Sequence, residues 1–180
     1  AILVDGTPFA LIVPYLFTEN FQTLDDYAHS AFYASFIRII RYFSFIISIL
    51  LPGAYVAIST FHPELLPQAL LFNIAAAEDT TPFPLGIEAL IIHLLYEIMR
   101  EAGLRLPRPV GHAVSIVGAL VIGDAAVTAG LIGAPMIMIV ATTAIASFVV
   151  PSLYEPVSVL RFAYILTGMT LGLYGITLLS

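Results

Sequence analysis

Residues 42–61 read YFSFIISILLPGAYVAISTF, a run without one Asp, Glu, Lys or Arg. An α-helix rises about 1.5 Å per residue and a hydrocarbon core is about 30 Å thick, so roughly 20 apolar residues suffice to cross it. Charge is also missing from 109–123, 125–154 and 162–180. Of the 180 residues, 60% are apolar and 10% charged, where soluble domains average about 45–50% and about 25%. A chain of this size cannot wrap so many apolar helices in a polar shell. The sequence therefore predicts an all-α, polytopic helical membrane protein with about four to five transmembrane helices.

Working outward from this run, the first span is expected at 36–61. Arg38 and Arg41 stand one turn apart at its start beside Tyr42, Phe43 and Phe45, which marks the cytoplasmic end. Pro52-Gly53 falls mid-span, where proline removes a backbone donor and crowds the preceding turn, so a kink or a broken helix, hence a hinge, is expected there. Upstream, two short apolar runs flank Asp5-Gly6-Thr7-Pro8, strong turn chemistry. Residues 1–14 are thus read as the β-hairpin remnant of an N-terminal cytosolic domain, in a chain that opens on Ala1 like a piece of something longer. Residues 15–35 mix aromatics with Glu19, Asp25 and Asp26 and suit a segment at the membrane interface. The transmembrane domain takes 36–180.

Downstream, His62-Pro63-Glu64 and Pro67 end the first helix, and the charge-free piece 65–77 is too short to span, which predicts a re-entrant or amphipathic segment. A helix over 85–103 places His93, Glu97, Arg100 and Glu101 on one side and Ile91, Leu95 and Ile98 opposite, with Glu88 near its start. Arg100, Arg105 and Arg108 return the chain to the cytoplasmic side. Further spans are expected at 111–131, 134–150 and 157–179, with Arg161 at the inner end of the last.

Few residues offer chemistry. Ser115, Ala119 and Gly123 recur every four residues and make a smooth ridge for helix packing. Asp124, mid-span, costs about 2.5–3.5 kcal/mol in lipid and must find a partner such as Thr128 or an arginine, a cavity or a pore. His93 and Glu97, one turn apart, are read as an ion-paired face with Arg100 rather than a metal site, since neither HExxH nor a third ligand follows. Asp124, Glu97, His93 and Glu88 are the candidates for an ion pathway. No nucleophile elbow, P-loop or dinucleotide fingerprint occurs, so neither catalysis nor a cofactor is expected. The absence of Cys removes thiolate chemistry, and six Arg without Lys in a chain of net charge −6 speak against a nucleic-acid partner.

Several segments resemble, in order, the A subunits of GerA-type spore germinant receptors. They are Leu3 to Pro8, Asp25-Asp26-Tyr27, Ala34 to Arg41, Phe61 to Pro67, Pro82-Phe83-Pro84, Arg100 to Pro107 and Gly118 to Gly123. The chain departs from that family's pattern at Ala28, Glu78 and Asp124. The resemblance implies the membrane region of such a subunit in the spore inner membrane of an endospore-forming bacterium. It also implies a transporter-like B subunit and a lipoprotein C subunit as partners, and a homo-oligomer that conducts cations or relays the germination signal. A non-conducting scaffold and a SpoVAF-like accessory germination protein are the alternatives.

Overall fold

The computed structural model describes residues 2–3, 10–11, 15–105, 118 and 121–180. Near the N-terminus β1 (Ile2–Leu3) pairs antiparallel with β2 (Ala10–Leu11), Ile2 opposite Leu11 and Leu3 opposite Ala10. The turn expected at 5–8 lies outside the described residues. Apart from this pairing of two residues with two, the regular structure among the described residues is helical.

The helices are α1 (Ala31–Phe61), α2 (Gln68–Glu78), α3 (Leu85–Leu104), α4 (121–128), α5 (Ala134–Phe148) and α6 (Tyr154–Leu179). Two are long and apolar enough to cross a membrane, α1 and the stretch Pro151–Leu179 that contains α6. The expectation of four to five spans is therefore not met among the described residues. The span expected at 134–150 forms a helix of 15 residues, about 22 Å long and short of a hydrocarbon core. α2, with 11 residues, is shorter still. Helix α3 is long enough but carries Glu88, Glu97, Arg100 and Glu101, and most of the span expected at 111–131 lies outside the described residues.

Helix α1 starts five residues earlier than expected, so Arg38 and Arg41 lie inside it rather than at its mouth. The cause is upstream. Residues Phe17–Phe21 and Leu24–Tyr27 form 3-10 turns that fold back along the first turns of α1. The Asp26 carboxylate, 6% exposed, accepts two bonds from Arg41, at 2.6 and 2.9 Å, and one from Arg38 at 3.3 Å. Arg41 also donates to the Phe21 carbonyl, while Phe21, 1% exposed, stacks on Tyr42 and meets Phe17 and Phe45 edge-on. With their charges met by Asp26, the two arginines no longer need the helix to end there. The Arg41 guanidinium, followed by the Thr23 and Arg38 hydrogen bonds, holds the Asp26 carboxyl well below the usual carboxylate range against the opposing effect of burial.

The core lies between α1, α3, α5 and α6, around Val56, Ala89, Ile92, Met136, Val140 and Ile165. α1 and α6 approach most closely through two glycines. A Cβ at Gly168 would sit 2.5 Å from the Gly53 carbonyl oxygen, and one at Gly53 would sit 2.5 Å from that of Tyr164. Only residues without a side chain allow backbones this near. The helix break expected at Pro52-Gly53 is not there. α1 runs on through Pro52, and the non-helical dihedrals occur in α6 at Gly172, with φ 61° and ψ −148°.

Candidate functional site

Helix α3 is inside out for a water-soluble helix. Ile87, Ile91, Leu94 and Ile98, spaced four, three and four residues apart, are exposed. Glu88, Ala89, Ile92, His93 and Tyr96 are buried, and Glu97 is nearly so. Ionisable residues that turn inward while isoleucine and leucine face out match a lipid surroundings, where a charge must find its partner within the bundle.

The partner comes from α6. Its residues Tyr154, Ser158 and Arg161 fall at i, i+4 and i+7, so they share one face, and that face meets Glu97. The Tyr154 hydroxyl donates to both Glu97 oxygens at 2.8 Å, Ser158 Oγ donates to Oε1 at 2.7 Å, and Arg161 Nη1 lies 3.6 Å from Oε1. Arg100 stacks over the Tyr154 ring, a cation–π contact. The expected pairing of Glu97 with Arg100 is thus corrected. The counter-ion is Arg161, from a different helix, and Arg100 serves the tyrosine that binds the same carboxylate. A groove of about 480 Å³ lined by Glu97, Ile98, Glu101, Ser158, Val159 and Phe162 opens onto this site.

Arg161 is fully buried and explains why α1 survives its proline. Pro52 has no N–H, so the carbonyl four residues before it, that of Ser48, has no helical donor. Arg161 Nε donates to that very oxygen at 2.9 Å. One guanidinium therefore fills the gap left by a proline on α1 and neutralises a carboxylate on α3, joining three helices at one point. His93, also fully buried, donates from Nδ1 to the Ala89 carbonyl at 2.8 Å, because a carbonyl only accepts. Its Nε2 and the Arg161 Nη2 remain without a protein partner.

The other expected residues are distributed as follows. Glu88 is buried at the opposite end of α3 and accepts the Gly133 amide at 2.6 Å. That amide opens α5, so the carboxylate sits at the positive end of the helix dipole. Asp124 is exposed on α4, and the Thr128 or arginine contact expected for it is not formed among the described residues. Gly123 is buried, and a Cβ there would lie 3.4 Å from Ile137 of α5, while Ser115, Ala119 and Arg108 lie outside the described residues. Arg105 is exposed and pairs with Glu101 at 2.8 Å. No group of three metal-ligating side chains occurs among the described residues.

Sequence reasoning missed Arg161 as a binding group, Asp26 as the clasp and Gly168 as the crossing point. The i, i+4, i+7 order of Tyr154, Ser158 and Arg161 was a visible signal. So was the spacing of Gly168 and Gly172, a small residue every fourth position.

All 180 residues match the family model described as Bacillus/Clostridium GerA spore germination protein. The chain is 51% identical over 180 residues to spore germination protein KA of Bacillus subtilis (strain 168), covering 99% of this chain and 33% of that protein. It is 45% identical to spore germination protein GerLA of Bacillus cereus, over 99% of this chain and 37% of the relative. It is 44% identical to the uncharacterized membrane protein YfkQ of Bacillus subtilis (strain 168), over 99% and 35%. The chain thus spans about a third of the length of the curated relatives it matches. No solved structure matches it.

Proposed function

The chain belongs to the GerA family of spore germination proteins, and on that premise we propose that it is the membrane region of a germinant-receptor A subunit. In this reading it is a multi-pass helical bundle in the spore inner membrane. It assembles as a homo-oligomer with the transporter-like B and lipoprotein C subunits, and the assembly passes monovalent cations when a nutrient binds.

The observation that carries this reading is the inverted polarity of α3, apolar residues outward and Glu97 and His93 inward against Arg161. A bundle that hides a carboxylate, an imidazole and a guanidinium has either a polar path or a polar joint at its centre. The proline gap favours a movable joint, since Arg161 of α6 supplies the Ser48 carbonyl with the donor that Pro52 withholds. A shift of α6 that withdraws Arg161 would free both the hinge at Pro52-Gly53 and the Glu97 carboxylate. In the proposed oligomer Asp124, exposed on α4, would face a neighbouring subunit, where a ring of carboxylates would attract cations.

A second reading has its own support. Glu97 is already met by Tyr154, Ser158 and Arg161, as in a closed joint that only holds helices together, which suits a scaffold that conducts nothing. The experiment that separates the two is cation flux through the full-length protein reconstituted in liposomes, wild type against Glu97→Gln and Asp124→Asn. Flux in the wild type that falls in the variants supports conduction, and no flux in any oligomeric form supports the scaffold.

A further inference from the structure

Charge alone sets the two ends of α1 against a bilayer. Its charge-free run 42–61 covers about 30 Å, the thickness of a hydrocarbon core. Arg38 and Arg41 stand before this run, and His62, Pro63 and Glu64 follow it. His62 Nδ1 lies 3.4 Å from the Glu64 carboxylate, and both side chains are exposed. Phe61 therefore marks the far boundary of the core. Helix α6 runs beside α1 in the same direction, since Arg161 meets Ser48, Gly168 meets Gly53 and Gly172 meets Phe61. A Cβ at Gly172 would lie 3.1 Å from the Phe61 ring, so Gly172 sits at the same boundary.

Helix α6 breaks at this level. The φ of 61° and ψ of −148° at Gly172 belong to a region that glycine alone enters at small cost. Residues 154–171, before the break, make about 27 Å of helix, close to a full crossing. An uninterrupted α6 would carry residues 173–179 about 10 Å further, past a headgroup layer of about 5–8 Å. Leu173, Tyr174, Ile176, Leu178 and Leu179 would then stand in water. The chain turns back instead. The Thr167 carbonyl oxygen is 2.9 Å from where a Gly175 Cβ would be, although eight residues of unbroken helix advance about 12 Å. Ile176 is accordingly buried in the cluster that holds Ala57 and Tyr164, with Leu173 packed against it. Tyr174, Leu178 and Leu179 are exposed.

We propose that residues 173–179 form an interfacial segment on the side of the membrane opposite Arg38 and Arg41. Leu173 and Ile176 hold it to the bundle, and Tyr174, Leu178 and Leu179 enter lipid where acyl chains meet headgroups. The bilayer is the partner of that exposed face because Phe61 and the His62–Glu64 pair fix its level at the lipid boundary. Tyrosine suits this zone, with an apolar ring and a wet hydroxyl, and interfacial helices sink their apolar face about 5–10 Å. Gly172 makes the turn, since a side chain there would crowd the Phe61 ring and force an unfavourable φ. The proposal rests on the membrane reading above and deepens it, by giving the last seven residues of α6 a lipid contact instead of a place in the crossing.

The test is the depth of single spin labels on the full-length protein in phosphatidylethanolamine and phosphatidylglycerol vesicles, read from collisions with oxygen and with a water-soluble nickel complex. These 180 residues contain no cysteine, so Leu166→Cys, Leu171→Cys, Tyr174→Cys and Leu178→Cys, one at a time, place the labels. Positions 174 and 178 should lie within about 5 Å of the depth of position 171 and in contact with oxygen. A straight α6 would put position 178 about 10 Å outside position 171, with severalfold more nickel contact. That result, or a label at 178 shielded from both reagents by protein, would overturn the proposal. Gly172→Ala should move position 178 outward by up to the same distance; a folded variant with the label unmoved would overturn the role given to Gly172, and the other depths decide the rest even if this variant does not fold. A label at 166 outside lipid would overturn the membrane reading itself, whereas 166 in lipid with 178 in water overturns the interfacial segment alone.

Discussion

Replacing Arg161 with Met should destabilise the bundle in two ways that a second substitution can separate. The Ser48 carbonyl loses its donor, and a buried acceptor left unsatisfied costs about 1–3 kcal/mol. Glu97 loses its counter-ion, and breaking a buried pair costs about 3–5 kcal/mol. The second cost falls at or below the low end, because Arg161 Nη1 is 3.6 Å from Glu97, the Glu97 side chain is 20% exposed, and the Tyr154 and Ser158 hydroxyls still donate to it. Together the loss should be about 3–5 kcal/mol. Pro52→Ala restores the N–H that bonds the Ser48 carbonyl within α1. In that background the first cost disappears, so Arg161→Met should become about 1–3 kcal/mol milder. Denaturing-detergent unfolding of the four proteins in a double-mutant cycle measures this coupling. Additivity within about 0.5 kcal/mol would refute the idea that Arg161 fills the proline gap.

Two further outcomes follow from the packing and the clasp. Gly168→Ala places a methyl group 2.5 Å from the Gly53 carbonyl oxygen; it should lower stability by about 1–3 kcal/mol in the same unfolding assay, whereas the exposed Ala125→Gly on α4 should leave the α1–α6 crossing intact. Asp26→Asn should free residues 15–27 from α1, seen as faster proteolysis there. Because the folded carboxyl lies below its ordinary value of 3.8, the clasp is fully present above that value and is lost only as pH falls through the lower folded one. Wild-type protection should therefore be unchanged between pH 7 and about pH 5.

The helical class was legible because charge-free runs are a local property of the chain. Residues 42–61 and 162–180 announced α1 and α6 by composition alone. Where α1 begins was not legible, because Arg38 and Arg41 mark a helix end only if water or headgroups receive their charge, and here Asp26 receives it. The polar stripe of α3 was visible in the spacing of His93 and Glu97. Its partner was not, since an arginine seven residues into a last helix reads as an interface anchor until tertiary contact shows what it touches. Pro52 does not end α1, so the broken-helix form of the expectation is not met. The gap in hydrogen bonding is local, but the group that fills it comes from α6. Asp124 looked like a buried carboxylate by its position in an apolar run and is exposed on α4, because apolar neighbours in sequence do not fix which face of a helix is covered.

The central claim is that this bundle takes part in moving cations, with its buried charges on the route or at the joint that opens it. Cation flux through liposomes holding the full-length protein, wild type beside Glu97→Gln, tests it most directly. The account predicts flux of monovalent cations in the wild type and at least a severalfold change in the variant, whose carboxamide no longer holds Arg161 by charge. Absence of flux in every oligomeric form of the wild type would contradict it and leave the bundle as a scaffold.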